Sequence, residues 1–171
     1  MKGFVHVYTG NGKGKTSAAM GLVLRAAGAG LSVFVSQFVK DGRSSEIIGL
    51  KRFSGQVQVA AFGTGRFLTS PPAPAEISAA RAGLARVRSV LEAGAHDLVV
   101  MDEACVAVSW GLFSIEDLLS VIEAKAASTE LVITGRDAPV QLIAHADLVT
   151  EMREIKHYFH SGVAARRGIE Q

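Results

Sequence analysis

Seven consecutive residues, Gly10-Asn11-Gly12-Lys13-Gly14-Lys15-Thr16, concentrate groups that can hold an anion. Three glycines in five positions let the backbone take positive φ and turn successive N–H groups towards one point. Lys15 and Thr16 then fall where a helix can start, and a helix N-terminus adds its own partial positive charge. N–H cradle, ammonium and hydroxyl suit the phosphates of a nucleoside triphosphate, with Lys15 on phosphate oxygens and Thr16 on Mg2+. Loops of this kind usually run Gly, four residues, Gly-Lys-Ser/Thr. Here Thr9 holds the first position and Gly10 stands one place late. Ser17, just inside the helix, completes the expected phosphate-lining stretch from Thr9.

A second set of groups follows at Leu98-Val99-Val100-Met101-Asp102-Glu103, an apolar strand closed by two carboxylates. The carboxyl ends of strands in a parallel sheet face the ligand crevice, so Asp102 or Glu103 can complete the Mg2+ shell begun by Thr16. Lys40, at the end of the second expected strand, is a candidate for the same crevice.

These residues need a scaffold, and the chain alternates strand-length apolar runs with helix-length segments, the pattern of a parallel sheet with crossover helices. Strands are expected at 3–8, 32–39, 57–62, 97–101, 130–134 and 148–152. Helices are expected at 15–27, 76–93, 115–127 and 139–144, the first stopped by Gly28 and Gly30 and the third capped by Ser114. Ile77, Ala80, Leu84, Val87 and Leu91 make one apolar stripe on the second helix. The stretch 63–75 holds two glycines and three of the four prolines and reads as a functional or mobile loop. From Glu154 onwards the chain is polar and basic and is expected to wrap the surface.

At 171 residues the chain is long enough for one domain, 1–171, with a real core. Aromatics make up only 6%, so Ala, Val and Leu must fill that core, as helices on a buried parallel sheet require. A net charge of +2 gives too weak a pull on polyanions to argue for nucleic acid. The apolar run at 4–8 is far too short for a signal peptide or a membrane span. The single cysteine, Cys105, excludes an intrachain disulfide and suits a reducing compartment. A soluble cytoplasmic protein is the expectation.

A triphosphate site alone names no reaction. An ATPase or small-molecule kinase, with Glu103 placing water or an acceptor hydroxyl, and a non-catalytic ATP-sensing module both fit it. The chain as a whole, however, resembles the ATP:corrinoid adenosyltransferases. The resemblance rests on Val7-Tyr8-Thr9-Gly10 through Thr16, Gln37-Phe38-Val39-Lys40, Met101-Asp102-Glu103, Thr134-Gly135-Arg136 and Ala146-Asp147-Leu148-Val149-Thr150-Glu151-Met152-Arg153. It continues through Lys156-His157 to the ending Gly162…Ala165-Arg166-Arg167-Gly168-Ile169-Glu170. The shortened glycine loop is what that family looks like, and the C-terminal run is far more specific than the loop.

The resemblance implies a three-layer P-loop (RecA-like) α/β fold with a mostly parallel sheet, a homodimer and Mg2+ dependence. It also implies a reaction in which cobalt(I) of a corrinoid attacks the 5′ carbon of ATP and releases triphosphate, with ATP reversed in its loop relative to hydrolases. The corrinoid would be cobyrinic acid a,c-diamide, cobinamide or cobalamin, and an electron donor must reduce its cobalt. No protein nucleophile is needed, because cobalt(I) is one. Lys13, Lys15, Arg136, and Mg2+ on Thr16 and Asp102 or Glu103, would hold the leaving charge. Relatives carry an aromatic pair after the third strand to shield the lower corrin face. Here Gly63-Thr64-Gly65 is followed by Arg66-Phe67-Leu68, so Phe67 supplies part of that surface and Leu68 stands where an aromatic is expected.

Several tempting residues have plainer readings. Cys105 reads as a small buried thiol. His157 and His160 are two ligands at most, too few for a metal site; His157 suits a surface or phosphate-proximal place. Trp110 is either a pocket wall or a packing residue. Arg25, about 13 Å along the helix from Thr16, is out of reach of the phosphates. Arg166-Arg167 either covers a corrinoid propionate or keeps the terminus soluble.

Overall fold

The computed structural model describes residues 2–66 and 68–170. Six strands, β1 (Val5–Thr9), β2 (Val33–Phe38), β3 (Val57–Phe62), β4 (Leu98–Asp102), β5 (Glu130–Thr134) and β6 (Leu148–Glu151), form one sheet in the order β3-β2-β4-β5-β1-β6. Every pairing is parallel. The helices are α1 (Lys15–Gly28), α2 (Ser45–Leu50), α3 (Pro74–Ala93), α4 (Ala104–Ser109), α5 (Ile115–Glu123) and α6 (Val140–His145).

Strand alternation sends side chains to two separate cores. Phe34 and Phe38 of β2, Val99 and Met101 of β4, and Leu131 and Ile133 of β5 pack with α3, α4 and α5 on one face. Val33 and Val35, Leu98 and Val100, and Val132 pack with Ala19, Val23 and Ala27 of α1 on the other. β2 and β4 are buried along their whole length, which is why they read as continuous apolar runs rather than alternating ones. The result is a three-layer α/β fold of P-loop (RecA-like) type. β5 lies between β1, which leads into the glycine loop, and β4, which ends in the carboxylates. Both therefore open on the same edge of the sheet.

The strands fall within a residue or two of their expected positions, and the differences at helices have local causes. α3 begins at Pro74, two residues early, because a proline already has the φ of a first helical residue. The Glu76 carboxylate also accepts the Ala73 N–H at 2.7 Å. α5 stops at Glu123 instead of running to 127. The carbonyls of Gly3, Ala126 and Thr129 turn inwards to accept from the Lys125 ammonium at 2.8–3.3 Å, and a continuing helix could not supply them. α2 and α4, six residues each, were not expected; they are too short to show a helical period. As expected, the segment after β6 runs over the surface, with one 3-10 turn at Tyr158–Ser161.

Candidate functional site

The glycine loop is shaped by what lies behind it. Gly10 and Gly14 take φ of 93° and 120°. A Cβ on Gly10 or Gly12 would stand 2.5 or 2.7 Å from the Met152 carbonyl oxygen. The chain after β6 thus presses against the loop, and it accepts the Gly12 N–H at 2.7 Å while Met152 N–H donates to Thr9. Gly14 is the N-cap of α1, and the first turn of that helix carries no acidic residue, so its positive end faces the crevice uncompensated. Lys15 is buried and curls over the loop, donating to the Gly10 and Gly12 carbonyls at 2.6 and 2.8 Å. Burial, and then the nearby Arg136 charge, push its pKa below the usual lysine value. A phosphate would relieve both. Asn11, Lys13 and Ser17 are exposed at the mouth of the loop.

Asp102 is the centre of the second half. It is fully buried, and its Oδ1 accepts from the Thr16 and Thr134 hydroxyls, each at 2.8 Å. Its Oδ2 accepts from Lys40 Nζ at 2.9 Å and Gln37 Nε2 at 3.1 Å. Burying a carboxylate is costly unless it is paired and hydrogen-bonded, and these four donors meet that need. Gln37 sits opposite Asp102 in the register of β2 with β4. With its amide nitrogen on the carboxylate, its Oε1 is left buried without a hydrogen-bond partner among the described residues. Glu103 follows at φ 61°, its N–H donated to Thr134 Oγ1 at 3.0 Å. Burial, with repulsion from Asp102, raises its pKa.

Among the described residues three that are not glycine, Val39, Glu103 and Asp137, have positive φ. They stand after β2, β4 and β5, and all three line one open cleft of about 1110 Å3. Backbone strain of this kind gathers where a site must be held in place. Lys40 and Arg136 supply positive charge to the cleft, and Trp110 and Val106 supply apolar wall. Trp110 also packs against the larger core.

Lys15, Thr16, Lys40, Asp102 and Glu103 therefore converge on one crevice, with Arg136 at its edge, whereas Thr9 is buried and its Oγ1 accepts from the Ala138 N–H at 3.2 Å. Lys13 turns outward to Glu170 and Tyr158 instead. Phe67 lies outside the described residues; Leu68 is buried and lines the cleft. Cys105 is buried and its thiol pKa is pushed up to about 12, mainly by burial, so it is inert as a nucleophile. His157 Nδ1 accepts from Phe159 N–H and His160 pairs with Glu154. Among the described residues no three His, Cys, Asp or Glu side chains gather into a metal cluster. Sequence reasoning assigned no role to Gln37, Thr134, Tyr158 or Glu170. A glutamine beside a serine inside an apolar strand was the visible signal for the first.

A strand, a glycine loop carrying Lys-Thr at a helix start, and an acidic strand end one strand away define a P-loop nucleotide-binding protein. A family model described as ATP:corrinoid adenosyltransferase BtuR/CobO/CobP matches residues 1–171, and the chain belongs to that family. It is similar to a corrinoid adenosyltransferase of Pseudomonas aeruginosa, 36% identical over 99% of this chain and 84% of the relative. It is 34% identical to corrinoid adenosyltransferase CobA of Salmonella typhimurium, over 99% of this chain and 86% of the relative. The corrinoid adenosyltransferase of Escherichia coli K12 is 31% identical over the same shares. No described helix is long and apolar enough to cross a membrane.

Proposed function

We propose that this protein transfers the 5′-deoxyadenosyl group of ATP to the cobalt(I) of a corrinoid. The supporting observation is the continuity of two spaces. The crevice of Lys15, Thr16 and Asp102 opens through Lys40 and Glu103 into the 1110 Å3 cleft, larger than the ~300–1,000 Å3 of ordinary ligand pockets. One end suits a triphosphate, and the other, with Trp110 and Val106 beside Arg136, suits a large amphipathic ring bearing carboxylates or amides.

In this reading the cobalt(I) electron pair forms the bond to C5′ as the C5′–O5′ bond breaks. The pair from that bond leaves on triphosphate. The loop from Thr9 to Ser17 holds the phosphates, and Lys15 and Arg136 take up the developing charge, while Lys13, tied to Glu170 and Tyr158, stands at the loop mouth to bind the incoming phosphates. Asp102 and Glu103, beside the Thr16 hydroxyl, form a hard-oxygen set that fits Mg2+. The fit shows in the Lys40 ammonium, a cation these groups already surround. When bound, Mg2+ would neutralise phosphate charge. A separate reductant must deliver cobalt(I). The buried Cys105 takes no part.

The proposal includes a homodimer. Edge strand β6 exposes Leu148 and Val149, and α6 exposes Val140 and Ile143, an apolar margin that a second copy would cover. Light scattering should give twice the chain mass at micromolar concentration; a monomer would remove this part. The main test is an anaerobic mixture with ATP and chemically reduced cobalamin. The expected result is the visible spectrum of the alkylated corrinoid with one triphosphate per turnover. ADP release without cobalt alkylation would point to an ATPase or kinase instead.

A further inference from the structure

Lys40 reaches every group assigned to the metal. Its Nζ is 3.2 Å from Thr16 Oγ1, 2.9 Å from Asp102 Oδ2 and 3.6 Å from Glu103 Oε1. Burial works against its charge, but the Asp102 and Glu103 carboxylates outweigh that and raise its pKa. Mg2+ bound by the same oxygens would sit about 2.0–2.1 Å from them, directly against the ammonium. One crevice does not hold both cations on the same three oxygens.

The backbone is built to put Lys40 there. Its N–H donates to the Phe38 carbonyl two residues back, at 2.7 Å, around Val39 at φ 67°. This is the sense of the rare γ-turn, strained for a β-branched residue. The turn is clamped from the loop after β3: Gly65 N–H donates to the Val39 carbonyl at 3.2 Å. A Cβ on Gly63 would stand 2.1 Å from the Val39 carbonyl carbon and 2.6 Å from Lys40 N. The first glycine of Gly63-Thr64-Gly65 therefore makes room for the bend that aims Lys40 at Asp102.

We propose that Lys40 is a positioning residue that keeps the metal's place and makes metal binding depend on nucleotide. Without a triphosphate, Lys40 neutralises Asp102 and Glu103 and turns a divalent cation away. A triphosphate arriving with its metal gives the ammonium a new anionic partner, so the carboxylates are released to the metal only when nucleotide is present. The inference rests on the metal assignment made above, and its test separates the two.

The probe is Mn2+ alone, its free fraction read by electron paramagnetic resonance, with wild type and Lys40→Met compared by titration. Wild type without nucleotide should bind Mn2+ only at millimolar concentration, whereas Lys40→Met should bind at least tenfold tighter. A non-hydrolysable ATP analogue should close most of that gap. Tight Mn2+ binding by wild type without nucleotide would overturn the inference, and so would equal affinities in the two proteins. Lys40→Gln serves if Lys40→Met does not fold. In the double variant Lys40→Met/Asp102→Asn the gained Mn2+ site should disappear; its survival would overturn the metal assignment beneath the inference.

Discussion

Asp102 is the residue on which most of the site converges, and its burial makes its removal costly. Asp102→Ala would strand the Thr16 and Thr134 hydroxyls, the Gln37 amide and the Lys40 charge at once. The Lys40 side chain keeps 31% exposure, so the loss falls below the about 3–5 kcal/mol of a fully buried pair broken from one side, yet the variant should lose melting temperature as well as its metal dependence. Unchanged thermal unfolding would show that water reaches these groups. Lys15→Ala should behave differently. Its partners are two loop carbonyls that water can satisfy at the crevice mouth, so stability should change little. ATP affinity by calorimetry should fall roughly tenfold or more, the loss of a charge-assisted contact. Lys15, Thr16 and Asp102 were legible in the sequence because loop spacing and strand-end position announce them. Gln37 and Thr134 were not, because their role comes from strands that meet only in the folded sheet. Gln37 faces Asp102 across 65 residues of chain.

At the scale of elements, the stretch expected as a functional or mobile loop is pinned at its start. Arg66 Nε and Nη2 each donate to the Glu76 carboxylate at 2.7 Å, and Thr64 Oγ1 adds a third bond. Proline and glycine content marked the loop but could not reveal a pin made by a helix residue ten positions on. The Arg66 bonds, followed by that from Ala73 N–H, lower the Glu76 pKa from 4.5 to about 2. A depressed acid pKa adds stability above the unfolded value and loses it as pH falls through the folded one. The melting-temperature difference between wild type and Glu76→Gln should thus be full at pH 6, shrink below pH 4.5 and vanish near pH 2. A difference that does not vary with pH would refute the pin. Within α3, Gly83 lies against Phe62, where a Cβ would stand 2.4 Å from the ring. Alanine favours a helix by about 1 kcal/mol, but overpacking costs about 1–3 kcal/mol. Gly83→Ala should therefore lower the melting temperature; a rise would mean the Phe62 ring moves freely.

At the scale of the whole molecule, the C-terminal segment returns to the phosphate loop that follows β1. Met152 closes the back of that loop, and beyond it Lys13 Nζ donates to Glu170 Oε1 at 2.9 Å and Tyr158 Oη at 3.1 Å. Tyr158 also hydrogen-bonds Glu170, and Arg166 pairs with Glu170 at 3.1 Å while its guanidinium lies 5.1 Å over the Tyr158 ring. The C-terminal run that made the family resemblance specific is thus a strap across the loop, and Arg167 and Glu170 reach the cleft wall. The Lys13–Glu170 pair is solvent-exposed, so it adds little to stability and is screened by salt. Its effect should appear in the geometry of Lys13 instead. Glu170→Gln should raise the KM for ATP about two- to fivefold, the scale of an exposed ion pair, with kcat and melting temperature nearly unchanged. Because Glu170 acts through Lys13, adding Glu170→Gln to Lys13→Met should raise KM no further. Additive losses in that double-mutant cycle would mean that Glu170 serves the corrinoid side of the cleft and that the strap leaves the phosphate loop alone.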